Sequence, residues 1–196
     1  MSEFNLYLQL GFEHISDVNG YDHILFILAL CAVYYVTAWR KLVVLVTAFT
    51  VGHSLTLAMA TLGLVKVNSE LIEFLIPVTI VLTCLANLYN YLWGSKSLPN
   101  RNVLRYFSAV FFGLIHGLGF SNYLSALLGS SSDLLLPLFA FNLGLEFGQL
   151  LIVAFFLLLS YLIVGLAKVR FKWWVLVLSS IVLLMAGQLL VAKWIF

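Results

Sequence analysis

The sequence has little charge. Of its 196 residues only 9% are Asp, Glu, Lys or Arg, whereas 63% are hydrophobic and the mean hydropathy is +1.09. Soluble domains contain roughly 45–50% apolar residues, so this composition excludes an ordinary soluble globular protein. The ten basic residues form no clustered patch of the kind that binds nucleic acid, and we expect no nucleic-acid partner.

Cysteine and proline are also scarce. Cys31 and Cys84 lack the CxxC or Cys/His spacing of zinc and redox sites, so we interpret them as small buried apolar residues. Pro77 and Pro137 fall within long apolar runs, where neighbouring groups must satisfy the backbone carbonyl that a proline leaves free. Neither residue type predicts a chemical site.

The sequence is rich in long apolar runs. A helix needs about 20 apolar residues to cross the hydrocarbon core of a bilayer, and six such runs predict an all-α, polytopic membrane bundle that forms one domain over residues 1–196. Residues 1–21 are too short and polar to span and lack the features of a signal peptide. We therefore expect them to form an interfacial or re-entrant lead-in. The predicted spans are 22–39, 42–64, 70–93, 104–128, 134–166 and 173–194.

The loop charges predict the orientation of the chain. Basic residues near helix ends favour the cytoplasmic side. Eight of the ten lie between runs one and two, three and four, or five and six, which all face the same side of the membrane. Most acidic residues, including Asp133, fall on the other side. We therefore predict a multi-pass protein with both termini outside and the lipid bilayer as its surroundings. The eight basic residues are Arg40, Lys41, Lys96, Arg101, Arg105, Lys168, Arg170 and Lys172.

Three ionisable side chains lie deep within apolar runs. A charge at mid-bilayer costs on the order of 3 kcal/mol or more, so such residues usually face a cavity or have a function. His53 and His116 each lie about three helical turns past the basic residue that begins their run, and Glu146 reaches a similar depth. Imidazole and carboxylate are ligands of nickel, cobalt, iron, zinc and copper. Three helices offering them at one depth predict a metal site.

Further polar residues surround these three. Asn142 and Gln149 share a helical face with Glu146 through i, i+4, i+7 spacing. Near the predicted outer mouth, "FEHISDVNGYDHILF" supplies a second cluster, which would concentrate cations by its electric field. Asp22 is as suited to orienting a histidine as to chelation. The members of the outer cluster are Glu13, His14, Asp17, Asp22 and His23.

Simpler interpretations remain open for the same residues. A histidine in a membrane helix can serve only as a hydrogen-bonding contact between helices. Glu146 can carry a proton without binding any metal. The hydroxyls of Thr47, Thr50, Ser54 and Thr56 are expected to contribute to helix packing by bonding to backbone carbonyls.

Four segments together resemble the HupE/UreJ family of small membrane proteins, and in particular its second branch: "GYDHILFILAL", "LVTAFTVGHSLTLA", "FFGLIHGLGFS" and "FNLGLEFGQL". The resemblance implies a secondary transporter of nickel or cobalt in a bacterial-type inner membrane. From the residues themselves we also predict Asp17, Ser54, Asn142 and Gln149 as supporting polar residues. The implied metal ligands are His14, Asp22, His23, His53, His116 and Glu146.

Two classes of function follow from these residues. The first is a permease for a divalent transition-metal cation, which is not an enzyme. The second is an intramembrane hydrolase acting on a lipid or acyl substrate, in which zinc, held by histidines, activates water near Ser54 and Asp22. A protein that only assembles with partners is a third possibility.

Overall fold

The apolar runs fold into helices in the computed structural model, which describes residues 2–93, 101–128 and 134–195. Lys96, Pro99 and Asp133 lie outside these ranges. A 3-10 turn at Val36–Ala38 precedes the third helix, and a π-helical turn at Tyr161–Leu166 extends the sixth. The helices are α1 (Glu3–Ser16), α2 (Asp22–Cys31), α3 (Trp39–Thr61), α4 (Ser69–Leu92), α5 (Arg101–Leu128), α6 (Leu135–Ser160) and α7 (Phe171–Ala192).

Helices α3 to α7 are each long and apolar enough to cross a membrane. They coincide with predicted spans two to six to within a few residues, and the longest apolar stretch, Leu135–Leu166, joins α6 to its π-helical turn. The all-α class and these five helices are therefore as predicted.

The first predicted span, 22–39, is not one continuous helix. Helix α2 has ten residues and is therefore about 15 Å long, roughly half the thickness of the hydrocarbon core. The described residues thus contain five helices of spanning length and one shorter apolar helix. The predicted count of six spans is not confirmed.

Helix α1 packs along α6 with one face and exposes the other. A Cβ on Gly144 would overlap the carbonyl oxygen of Leu8, and one on Gly148 would overlap the side chain of Ile15. Contacts that advance together along both helices show that α1 and α6 run parallel. The close packing brings His14, near the end of α1, into the interior of the bundle.

Helices α1 and α2 point in the same direction, with a break at residues 17–21. Helix α2 runs parallel to α4, because His23 at its start lies beside His116, which contacts Thr79, whereas Ala29 near its end accepts a hydrogen bond from Asn87. The two short helices therefore form a discontinuous element. In transporters such breaks commonly lie at binding sites, where unwound backbone is shielded from lipid.

Helices α3 and α5 run parallel and in close contact. A Cβ on Gly52 would overlap the carbonyl oxygen of Val110, and one on Gly117 would overlap that of His53. Small residues let membrane helices approach closely in this way. The contact places His53 and His116 at the same height in the bundle.

Candidate metal centre

All four histidines of the chain lie in one cluster. His14 of α1, His23 of α2 and His53 of α3 each offer one ligand atom, and these atoms lie within 4.8 Å of one another. His116 of α5 joins the group through His23, with ring centroids 5.1 Å apart. His14 and His23, which the sequence analysis placed at an outer mouth, are thus in contact with the histidine of α3. We call these four residues the histidine cluster.

Asp22 orients the ring of His23. Its Oδ1 lies 2.9 Å from His23 Nδ1 and also accepts the backbone N–H of His23 at 2.7 Å. A proton on Nδ1 that is donated to this carboxylate leaves a lone pair on Nε2, which is buried without a hydrogen-bond partner. Carboxylate–histidine pairs of this kind fix the tautomer and raise the basicity of metal-binding imidazoles.

Thr79 orients the ring of His116 in a similar way. The Thr79 hydroxyl donates to the carbonyl oxygen of Ile76 at 2.7 Å, and its Oγ1 lies 3.0 Å from His116 Nε2. A hydroxyl has one proton, so Oγ1 accepts from an N–H at Nε2. The lone pair of His116 is then on Nδ1, which has no hydrogen-bond partner among the described residues.

The remaining nitrogens of the cluster fit the requirements of a metal ion. His14 Nε2 and both ring nitrogens of His53 are also buried without a partner in the described part of the chain. An unsatisfied buried polar atom costs about 1–3 kcal/mol, and coordination would satisfy several at once. Nitrogens bound at about 2.1 Å to a tetrahedral ion lie roughly 3.4 Å apart. The ligand atoms of His14, His23 and His53 lie within 4.8 Å of one another, so small movements of the rings would bring them to that spacing.

The surroundings of the cluster differ on its two sides. On the predicted outer side, a cavity of about 270 Å³ reaches His23 and His116, and the carboxylates of Asp17, Asp22 and Glu73 line it. On the predicted inner side, the rings of Phe26 and Phe49 lie 4.9 and 5.1 Å from the His116 ring. Both phenylalanines are fully buried. The site is therefore open towards carboxylates and closed by aromatic rings.

Glu146 lies in a separate polar group between α3 and α6. Its Oε1 accepts from Thr47 at 2.6 Å and its Oε2 lies 2.5 Å from the Thr50 hydroxyl, which is also 2.8 Å from Gln149 Oε1. The Glu146 carboxylate does not belong to the group of close ligand atoms that His14, His23 and His53 form among the described residues. Its role as a metal ligand stays a prediction, and such a role requires these hydrogen bonds to break.

The other predicted supporting residues also have definite partners. The Ser54 hydroxyl donates to Asn142 Oδ1 at 2.6 Å, which extends the Glu146 group by one helical turn. Asp17 accepts the backbone N–H of Asn19 at 2.8 Å and lines the outer cavity. Glu13 accepts from the Gln9 side chain on the exposed face of α1. Of these, Asp17 lines the same cavity as His23 and His116.

Sequence reasoning missed two features of the centre. Thr79 was not identified, because a threonine in an apolar run usually bonds to its own helix, and nothing in its spacing relates it to His116. The position of His14 was missed because residues 1–21 were expected to form an interfacial or re-entrant lead-in with His14 at the outer mouth. The signal for it was Gly11, three residues earlier: a Cβ there would overlap the carbonyl oxygen of Phe141 on α6.

Helices of spanning length around a buried histidine cluster define a multi-pass membrane protein equipped to bind a metal cation. The chain matches the family described as HupE / UreJ protein over residues 1–194, and it therefore belongs to the HupE/UreJ family. The match confirms the resemblance noted in the sequence. The family is associated with nickel and cobalt transport. No curated protein and no solved structure matches the chain.

Proposed function

We propose that this protein is a permease for a divalent transition-metal cation of the nickel or cobalt type, with the histidine cluster as the cargo site. The observation that supports this most directly is the group of ligand atoms from His14, His23 and His53, within 4.8 Å of one another inside a membrane bundle. Imidazole suits nickel and other late first-row metals. A family associated with transport of these metals agrees with that chemistry.

The predicted ligands have different roles in this proposal. The three histidines from α1, α2 and α3 bind the ion, and His116 adds its Nδ1 as the ion moves inward. Asp22 acts on His23 as a positioning residue and raises the local negative charge. Glu146 remains a predicted ligand for a later step, after the hydrogen bonds from Thr47 and Thr50 are released.

The geometry suggests a direction of entry. Carboxylates of Asp17, Asp22 and Glu73 in the 270 Å³ cavity concentrate cations at its mouth. Release on the opposite side requires the rings of Phe26 and Phe49 to separate. The break between α1 and α2 lets α2, which carries Phe26, move without α1, as discontinuous helices do in alternating access.

Protons compete with the cargo in this mechanism. An imidazole binds a metal only in its neutral form, so coordination excludes protonation of the same nitrogen. We therefore expect metal affinity to be full above the pH at which the cluster titrates and to fall as the pH is lowered through it.

Transport by purified protein in liposomes tests the proposal. Vesicles that enclose a metal-sensitive dye are expected to accumulate Ni²⁺ or Co²⁺, and His53→Ala is expected to abolish the signal. Trp174→Phe is the control, because it alters a buried aromatic residue in α7 away from the cluster. If folded wild-type protein moves no transition metal, the permease proposal is wrong.

A zinc-dependent hydrolase is the second candidate, and one observation favours it. Three histidines with an adjoining cavity match the three protein ligands and one open position of catalytic zinc. Against it, the Ser54 hydroxyl is bonded to Asn142 rather than directed at the cluster. A catalytic zinc stays bound at one per chain through purification, whereas a transported ion exchanges. Metal analysis before and after dialysis against a weak chelator separates the two.

A further inference from the structure

The carboxylate of Glu73 lies between two cavities at the predicted outer end of the bundle. One is the 270 Å³ cavity that reaches His23 and His116. The other has a volume of about 330 Å³, and its lining includes Glu70, Glu73 and Lys193. Glu73 therefore belongs both to the entrance of the metal centre and to a neighbouring cavity that contains a basic residue.

Lys193, directly after α7, forms an ion pair with Glu73. Its Nζ donates to Glu73 Oε2. The backbone N–H of Lys193 donates to the carbonyl oxygen of Leu189 at 2.9 Å, which holds the lysine at the end of α7. One of the three carboxylates that line the entrance is thus paired with a cation that belongs to the chain itself.

The ion pair between Lys193 and Glu73 is able to open. The two side chains are 45% and 49% exposed, and ion pairs between such half-exposed groups are weak. Glu70, one helical turn before Glu73, lines the same 330 Å³ cavity as Lys193. Because the lysine side chain is long and flexible, its ammonium group has a second carboxylate available when it leaves Glu73.

Glu73 lies one step outside the histidine cluster. Thr79, whose hydroxyl contacts His116, is six residues further along α4, which corresponds to about 9 Å by the helical rise. Ile76, between these two residues in sequence, also lines the entrance. A cation that enters from outside therefore meets Glu73 before it reaches the histidines.

A divalent cation is better suited than a monovalent one to displace Lys193 from Glu73. Coulomb energy is proportional to the product of the two charges, so a divalent ion attracts the carboxylate more strongly than an ammonium group at a similar distance. It also repels the ammonium group more strongly. A monovalent ion has no such advantage, and the ammonium group competes with it at the high effective concentration of a tethered group.

We propose that Lys193 is a built-in counter-ion that controls access to Glu73. It pairs with Glu73 until a divalent cation arrives, then moves towards Glu70, and it excludes monovalent cations from the entrance. Lys193 is a positioning residue, because it acts through Glu73 and does not bind the cargo. This inference rests on the proposed permease function, in which the histidine cluster takes a divalent cation from the outer cavity.

The rate of Ni²⁺ binding to the detergent-solubilised protein tests the inference. Stopped-flow measurements at constant ionic strength give the association and dissociation rate constants, and charges at the rim of a site mainly change association. We expect Lys193→Gln to raise the association rate constant about tenfold. The dissociation rate constant is expected to stay unchanged because the histidine cluster is intact. Lys193→Arg, which keeps the charge, is expected to remain close to the wild type.

Two controls separate the ion pair from general electrostatics. Lys66→Gln removes the same charge from an exposed residue on the same predicted side, outside both cavities. In a Glu73→Gln background, Lys193→Gln is expected to have no further effect, since the two residues act as a pair. Replacing N-methylglucamine by Na⁺ at the same ionic strength is expected to slow Ni²⁺ association in Lys193→Gln but not in the wild type.

Four results would each overturn this inference while leaving the permease proposal intact. They are an unchanged association rate in Lys193→Gln, equal changes in the two lysine-to-glutamine variants, an undiminished effect of Lys193→Gln in the Glu73→Gln background, and equal sensitivity of Lys193→Gln and wild type to Na⁺. A folded wild-type protein that binds no transition metal would overturn both proposals together.

Discussion

The Thr79 hydroxyl oxygen lies 3.0 Å from Nε2 of His116 while its proton is donated to the Ile76 carbonyl. The contact fixes the tautomer of His116 and leaves the lone pair on its buried Nδ1, which has no hydrogen-bond partner among the described residues. We expect Thr79→Val to weaken binding of Ni²⁺ about tenfold, within the usual effect of losing a partner of a metal-binding histidine. Isothermal titration of the purified protein measures it.

Thr79→Ser is the matched variant, since it retains the hydroxyl but not the methyl group. Its affinity for Ni²⁺ is expected to remain close to that of the wild type. If serine and valine weaken binding equally, Thr79 contributes through packing, and the tautomer assignment is wrong.

Asp22 acts on His23 through charge as well as through a hydrogen bond. Asp22→Asn keeps an oxygen that accepts from His23 Nδ1 but removes the negative charge that makes Nε2 more basic. We therefore expect about a 10- to 100-fold loss of metal affinity. Asp17→Asn, which alters the carboxylate at the start of the break between α1 and α2, is expected to have a smaller effect because the described hydrogen bond of Asp17 is to the backbone N–H of Asn19, whereas Asp22 also contacts a histidine ring.

The spanning helices could be predicted from the sequence because hydropathy depends on composition over a window, and the bilayer sets the required length. Depth along a helix follows from residue counts, so His53 and His116 were correctly placed at one height. The position of α1 could not be predicted in this way. Its packing depends on glycines in two distant segments, Gly11 and Gly144, that permit backbone contact.

The direction of side chains around a helix was the second unpredictable feature. Glu146 lies within a turn of the height of His53, as the spacing indicates, but its carboxyl bonds to Thr47 and Thr50 on α3. Periodicity places residues on a face of a helix. It does not show which neighbouring helix covers that face, because that depends on the packing of the whole bundle.

The close contact of α3 with α5 predicts a contrast between two glycines. A Cβ on Gly117 would overlap the carbonyl oxygen of His53, whereas one on Gly187 of α7 meets no atom within 4 Å. Overpacking costs about 1–3 kcal/mol, so Gly117→Ala is expected to lower the melting temperature and to displace His53. Gly187→Ala is expected to be neutral or stabilising, because alanine favours helix by about 0.5–1 kcal/mol.

Thermal unfolding in detergent, followed by circular dichroism, measures both glycine variants. Metal affinity is a second readout for Gly117→Ala, since the shifted backbone carries a cluster histidine. Equal melting temperatures for the two variants would contradict the helix contact on which the height of His53 depends.

The Glu146 group predicts effects on stability that are separate from metal binding. Thr50 is buried, and its hydroxyl lies within hydrogen-bond distance of Glu146, Gln149 and the carbonyl oxygen of Val46. Thr47 is exposed, and among the described residues its hydroxyl bonds to Glu146. Thr50→Val removes the single hydroxyl proton that these acceptors share, so one of them is left without a donor, and we expect a loss of about 1–3 kcal/mol. Thr47→Val is expected to cost less, because the hydroxyl that it removes lies at the surface of the bundle.

Glu146→Gln then tests whether the Glu146 group belongs to the metal centre. Glutamine retains an oxygen for the threonine hydroxyls, so the protein is expected to fold, and affinity for Ni²⁺ is expected to be unchanged because the histidine cluster is intact. His53→Gln is the comparison, with a large loss expected. A similar loss in both variants would place the carboxylate of Glu146 among the ligands of the first binding site, and not of a later step alone.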